Sequence, residues 1–303
     1  MSTVASEQAF DSAQLVQIRS RGRDLWLRFW RSRRAVVGGA LILVVVLVAL
    51  SADLISPYAY DAQNLAFARK PPMSVDTKGS LFVLGTDPLG RDILSRIFQG
   101  SRVSLAVGAA AVLLAGVIGV PIGLIAGYSG GRVDSVIMRL ADVQLAIPGM
   151  ILFIAIIAVV GASLWTVIGI LGFTGWVGYA RIVRGQVFSL KEQPFVEAAR
   201  ASGAKDTRII LKHILPNVWT PVIVLATQHV GGVIIAESSL TFLGIGVPRS
   251  TPTWGTMIAD GRAYLETAWW VATFPGIALT ITVLAVYFFG DGLRDVLDPK
   301  LRL

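Results

Sequence analysis

Apolar residues in this chain gather into long runs separated by short polar blocks. The first run, residues 35–52, holds no charge and reaches about 27 Å at 1.5 Å per residue, enough to cross a bilayer. A cleaved signal peptide is the alternative, but the run is long for an h-region and no A-x-A site ends it. Further runs fall near 103–128, 136–160, 164–183, 218–245 and 268–289, and Pro148 marks a kink in the third. Six crossings predict an all-α polytopic membrane protein with both termini on one side. In the second run Ala115, Gly119, Gly123 and Gly127 recur every four residues, a spacing that lets another helix approach backbone to backbone. The fourth carries Gly169, Gly172, Gly175 and Gly178.

The polar blocks complete the layout. Residues 1–18 are polar and expected to be mobile. Residues 19–34 are dense in arginine, yet Leu25, Trp26, Phe29 and Trp30 fall on one helical face, with Arg21, Arg23, Arg28 and Arg31 beside them. That pattern fits a helix lying in the cytoplasmic interface, or a plain basic flank with chance tryptophans. Residues 53–102 are of mixed charge. Ile93, Leu94, Ile97 and Phe98 predict a short helix at their end. The chain divides into a tail with an interfacial helix (1–34), a first span (35–52), an external segment (53–100), a five-helix core (101–290) and a second tail (291–303).

Basic residues assign the sides. The blocks placed inside hold the 19–34 arginines, Arg132, the group from Arg184 to Lys212, and Arg294, Lys300 and Arg302, whereas the block after the fifth run holds only Arg249 and Arg262. Lys and Arg concentrate on cytoplasmic loops, so both termini and residues 191–217 are expected in the cytoplasm of a bacterial plasma membrane. The composition agrees: 54% of residues are hydrophobic, 15% are charged, and mean hydropathy is +0.68. The net charge of +8 reads as topology and contact with anionic lipid rather than nucleic acid. With no cysteine, thiolate chemistry and disulfides are excluded. His213 and His229 form no metal-ligand spacing, and no GxxxxGK[ST] phosphate loop occurs, so an ATPase would have to be another chain.

The polar block between the fourth and fifth runs is the most structured. Ser189 and Glu192 have capping-box spacing, and Pro194 suits a first helical turn. Glu197 falls near the positive end of that helix. Ala198, Ala199 and Ala201 keep it slim, and Gly203 can supply the left-handed residue that ends it. Asp206 or Thr207 can cap a second short helix that stops before Pro216. A slim charged helix of this kind can dock in a groove on a partner, or be an ordinary solvated loop.

Glu197-Ala198-Ala199, Gly203 and Leu215-Pro216 together resemble the EAA–G–LP signature of ABC importer permeases. His213 stands at a usually aliphatic position, a variant that looks like the peptide-importer branch. The stretch 84–92, LGTDPLGRD, with Ser95 and Arg96, resembles the GTDxxGRDxxSR motif of the oligopeptide/dipeptide/nickel permeases. The stretch 290–295, GDGLRD, with Leu297, Asp298 and Pro299, is similar to the ending of their C-type subunit. Read locally, both are turn-forming sequences. The resemblance runs from about residue 28 to the end. It implies a type I ABC importer permease fold, a coupling loop at 191–217 that inserts into an ATPase subunit, and alternating access without bond chemistry. The implied partners are a homologous permease subunit, two ATPase subunits that bind the ATP and Mg2+, and an external substrate-binding protein. No cofactor is implied in this chain. Short peptides are the implied cargo, with nickel, glutathione and opines as alternatives.

Ionisable groups within the runs are a default functional hypothesis. Arg139 and Asp142, at i and i+3, are expected to pair with each other. Gln228, His229 and Glu237 lie on the fifth run and could line a translocation path. Glu237 could meet a substrate ammonium or a gating partner, or make a helix-to-helix hydrogen bond. An ion-gradient carrier would usually show inverted repeats and broken helices, and the EAA-type loop speaks against it. An intramembrane hydrolase would need a nucleophile with a base or paired carboxylates, and neither is evident.

Overall fold

The computed structural model describes residues 21–77 and 79–297, and side chains from residue 25. The polar start (1–18), Arg19, the side chains of Arg21 and Arg23, and the ending with Asp298, Pro299, Lys300 and Arg302 lie outside the described residues.

Helix α1 (Arg21–Arg31) is followed at Ser32 by α2 (Arg33–Ile55), whose first turn is capped by the Ser32 hydroxyl accepting from the Ala35 N–H at 3.3 Å. The segment after α2 then makes a short antiparallel pair, β1 (Ser74–Val75) with β2 (Leu81–Phe82). Helix α3 (Ile93–Ser129) is one continuous helix of 37 residues. It fuses the short helix expected before the second run with that run itself, because Arg96, Gln99 and Ser101 are buried against protein and no proline stands at the junction; Pro121 lies further on, within the second run.

The third run is divided. Helix α4 (Gly131–Ala146) and helix α5 (Gly149–Val160) are bent by 86° across Ile147-Pro148, far more than a kink. Proline removes a helical donor and disfavours helix in the residue before it, and Gly149 follows directly. Helix α6 (Leu164–Lys191) extends past the fourth run. Helices α7 (Pro194–Ala201) and α8 (Asp206–Ile209) lead through a π turn (Ile210–Ile214) into α9 (Leu215–Phe242). Helix α10 (Trp254–Gly261) lies in the loop after α9, and α11 (Trp270–Leu297) carries the last run and continues helical through the whole GDGLRD stretch to Leu297. Among the described residues, five helical stretches are long and apolar enough to cross a membrane, six if the broken α4–α5 pair is one span.

The core is built on close helix pairs. Helices α3 and α6 make the most extensive contact. A Cβ on Gly119 would lie 2.4 Å from the Trp176 carbonyl oxygen, one on Gly123 2.6 Å from that of Ala180, and one on Gly127 2.7 Å from Val187 Cβ. The four-residue spacing therefore does what it predicts. A second close pair joins α2 to α11: a Cβ at Gly292 would fall 2.3 Å from the Ala35 nitrogen, and one at Gly38 2.4 Å from the Phe289 nitrogen. Gly290 faces α9 instead, at Thr227 and Gln228. Two glycines of the GDGLRD stretch thus let two helices approach the same turn of α11.

Candidate coupling loop, transport groove and external brace

The loop between α6 and α9 is held by its apolar side chains. Val196, Ile209, Ile214 and Val218 are fully buried in the cluster that contains Val183 and Val187 of α6. Glu197, Ala198, Arg200 and Ala201 are exposed, so α7 is anchored on one side and presents a narrow, charged surface on the other. Gly203 adopts φ +78°, and a Cβ there would meet nothing within 4 Å, so its requirement is purely conformational. The Gly203 N–H donates to the Arg200 carbonyl at 3.0 Å and the Ala204 N–H to the Ala199 carbonyl at 3.1 Å, which together form a Schellman motif.

Three local expectations are corrected. Helix α6 runs through Ser189 to Lys191, so no capping box forms; Gln193 is the N-cap of α7, and Pro194 opens it without needing a donor. Lys205, not Asp206 or Thr207, is the N-cap of α8; Asp206 instead accepts a hydrogen bond from the Tyr128 hydroxyl of α3 at 2.5 Å. The second helix does not stop before Pro216. The Leu215 N–H donates to the Ile210 carbonyl in a π turn, and the Asn217 side-chain amide donates to the His213 carbonyl at 2.6 Å. These bonds re-satisfy the ladder around the proline, so Leu215-Pro216 forms the start of α9.

A groove of about 330 Å³ opens where α4–α5 breaks, lined in part by Gln144, Pro148, Thr174, Gly175, His229 and Gly232. Broken helices put unpaired backbone groups beside cavities, a recurrent setting for transported substrates. Just before the break, Gln144 ties α4 to α6: its amide donates to the Thr174 carbonyl at 2.7 Å and accepts from the Trp176 indole at 2.8 Å. His229 faces this groove with Nδ1 3.4 Å from the Tyr179 hydroxyl. The other two residues on α9 point elsewhere. The Gln228 amide donates to Asp291 of α11 at 3.0 Å. Glu237 is fully buried, accepting from Thr241 at 2.9 Å and Ser238 at 3.2 Å. Arg139 and Asp142 do not pair: Asp142 meets Arg181 of α6, across the packed helices.

The LGTDPLGRD stretch builds a brace outside the spans. Asp87 accepts from the N–H groups of Leu89 (2.8 Å) and Arg91 (2.9 Å) and from the guanidinium groups of Arg91 (2.6 Å) and Arg96 (2.7 Å). Both arginines also face Asp260 of α10, at 3.4 and 3.8 Å. Asp92 caps α3 by accepting from the Ser95 N–H at 2.8 Å and hydroxyl at 2.6 Å. Gly90, at φ +72°, passes so close to Asn64 that a Cβ would overlap its carbonyl oxygen. Burial raises the Asp92 carboxyl above its ordinary range against the Ser95 hydrogen bonds, and raises Asp260 against the pull of Arg91 and Arg249. Sequence reasoning missed Tyr128, Asp260 and the Asp134–Arg184 pair of α4 and α6, whose shorter described contacts include Arg184 Nη2 to Asp134 at 2.6 Å. No motif marks them, since each meets its partner only through the fold.

Residues 119–303 match the family model described as the binding-protein-dependent transport system inner membrane component, and residues 20–72 match the N-terminal transmembrane domain of oligopeptide transport permease C. A di/tripeptide transport system permease of Pseudomonas aeruginosa is 39% identical over 280 residues, covering 92% of each chain. An oligopeptide transport system permease of Bacillus subtilis is 42% identical over 280 residues, 92% of this chain and 90% of that one. A glutathione transport system permease of Pectobacterium atrosepticum is 40% identical over 285 residues, 94% and 93%. Among solved structures, an inward-facing methionine ABC transporter chain superposes with a TM-score of 0.53 at 22% identity, over 68% of this chain and 98% of that one, which shows a shared fold.

Proposed function

The chain belongs to the binding-protein-dependent transport system inner membrane component family, and on that premise we propose that it is the C-type permease subunit of an ATP-driven importer of short peptides. It is a multi-pass membrane transport component of the type I ABC importer fold. The relatives named for dipeptides, oligopeptides and glutathione point to one cargo class, because glutathione is itself a small peptide. The finer reading supplies a homologous permease subunit, two ATPase subunits holding ATP and Mg2+, and an external substrate-binding protein. Both termini and the 191–217 loop then face the cytoplasm.

The observation that carries the coupling role is α7 itself: a slim helix pinned by Val196, ended by a left-handed glycine, with Glu197 and its neighbours turned outward. In this reading α7 rests in a cleft of an ATPase subunit, and closure of the ATPase dimer moves α6 and α9, the spans on either side of the loop. The groove at the α4–α5 break, with His229, is this chain's share of the peptide path.

The test reconstitutes the chain with its partner subunits in proteoliposomes and measures ATP-driven uptake of a labelled dipeptide and tripeptide. Glu197→Lys opposes the helix dipole, a term of about 0.3–1 kcal/mol at an exposed site and too small to unfold the protein. Gly203→Val forces a β-branched residue into φ +78°. Both variants should reach the membrane and lose most uptake, with weakened retention of the ATPase subunits. Wild-type uptake in both would remove the coupling role.

A further inference from the structure

Helix α3 reaches from the external brace to the loop carrying α7. It starts at the Asp92 cap, where Arg96 is tied to Asp87 and Asp260, and ends at Tyr128 and Ser129. Its 37 residues span about 55 Å at 1.5 Å per residue. Helices α6 and α9 are joined to the loop by the chain itself; α3 touches it through a side chain. The half-buried Tyr128 packs against the central cluster and places its hydroxyl on the Asp206 carboxylate at the start of α8. Arg200, on α7, lies in the electrostatic field of the Tyr128 hydroxyl and Asp206, so the tyrosine sits between both short helices of the loop. Next to this contact, Gly130 and Gly131 both have positive φ, and α4 leaves the turn to be fastened to α6 by Asp134 and Arg184.

We propose that Tyr128 and Asp206 form the joint through which α3 follows the coupling loop, so that the movement of α7 is passed along α3 to the external brace. Tyr128 is a positioning residue: it touches neither cargo nor nucleotide. The physical basis is a directed, charge-assisted hydrogen bond linking a rigid helix to a loop with few other polar ties to it. Without the hydroxyl, α3 still feels the loop through its packing on α6 and α9, but its direct tie to α8 is lost and the Asp87–Asp260 brace follows the loop less closely. The expected result is a slipping machine, in which ATP is hydrolysed with less transport for each molecule consumed.

The inference rests on the coupling role of α7, and the experiment separates the two. In proteoliposomes of the complete transporter, ATP hydrolysed per peptide imported is measured for wild type, Tyr128→Phe, Asp206→Ala, the double variant and Glu197→Lys. Tyr128→Phe keeps the ring and its packing, and yield and melting temperature in detergent should match wild type. The joint predicts that Tyr128→Phe and Asp206→Ala each raise the ratio by about tenfold or more, the order of one lost charge-assisted hydrogen bond. It also predicts that the double variant is no worse than either single one, because both remove the same bond. An unchanged ratio in Tyr128→Phe and Asp206→Ala, or effects that multiply in the double variant, overturns the joint. If Glu197→Lys imports normally, the coupling role of α7 falls instead. If Glu197→Lys is inactive while Tyr128→Phe is fully coupled, only the joint is lost.

Discussion

A methyl group placed at Gly123 probes the contact on which the core depends. The added carbon would lie 2.6 Å from the Ala180 carbonyl oxygen, 2.8 Å from Val183 Cβ and 3.0 Å from Ala180 Cα. The first approach is roughly 0.8 Å inside an ordinary van der Waals contact. Two of its three neighbours are backbone atoms of α6, which cannot rotate away, so the helices must separate or tilt. Overpacking of this kind costs about 1–3 kcal/mol, which lowers the folded-to-unfolded ratio on the order of five- to a hundredfold. Gly178 is the control, since a Cβ there meets nothing within 4 Å and alanine favours helix over glycine by about 1 kcal/mol. Thermal unfolding of the purified chain in detergent should place Gly123→Ala well below wild type and Gly178→Ala at or above it. Gly123→Leu should further depress assembly into the complex. Equal melting temperatures for Gly123→Ala and Gly178→Ala would refute the argument that the glycine serves close helix approach.

Two further outcomes are expected. The chain has no native cysteine, so single cysteines report topology cleanly: Lys205→Cys should react with an impermeant maleimide only after membranes are opened, whereas Gln63→Cys and Ser250→Cys should react in intact spheroplasts; labelling of Lys205→Cys from outside would invert the model. For Asp92, folding raises the carboxyl pKa, so the folded chain holds that proton more tightly and loses stability as pH climbs from the ordinary carboxylate range through the raised value. Asn can keep the cap but carries no titrating charge, so the melting temperature of Asp92→Asn relative to wild type should rise with pH over that window; a pH-independent difference would count against it.

Much of this protein is legible along the chain because the bilayer imposes length and polarity on each crossing. Apolar runs, glycine spacing and the Glu197–Pro216 pattern are local properties: a 20-residue apolar run must satisfy its backbone as a helix, and Gly203 must take the conformation that ends α7. Tertiary structure decided what local rules leave open. Asp142 chose Arg181 rather than Arg139 because α6 brings that guanidinium within reach across a packed interface. The two predicted helices at 91–128 merged because the protein around Arg96 and Gln99 supplies partners for polar side chains that lie outside the apolar run. Pro216 failed to end a helix because a π turn and the Asn217 side chain re-satisfied its backbone, which depends on how α8 meets α9. Gln228, His229 and Glu237 share one helix, yet their different positions around its axis send Gln228 to Asp291 of α11 and His229 to the groove at the α4–α5 break, while Glu237 is buried against the hydroxyls of Ser238 and Thr241 of its own helix. Sequence sets which groups each helix carries; the packing of neighbouring helices sets which of them meet across helices, because partners such as Arg181 for Asp142 and Asp291 for Gln228 lie tens of residues away along the chain.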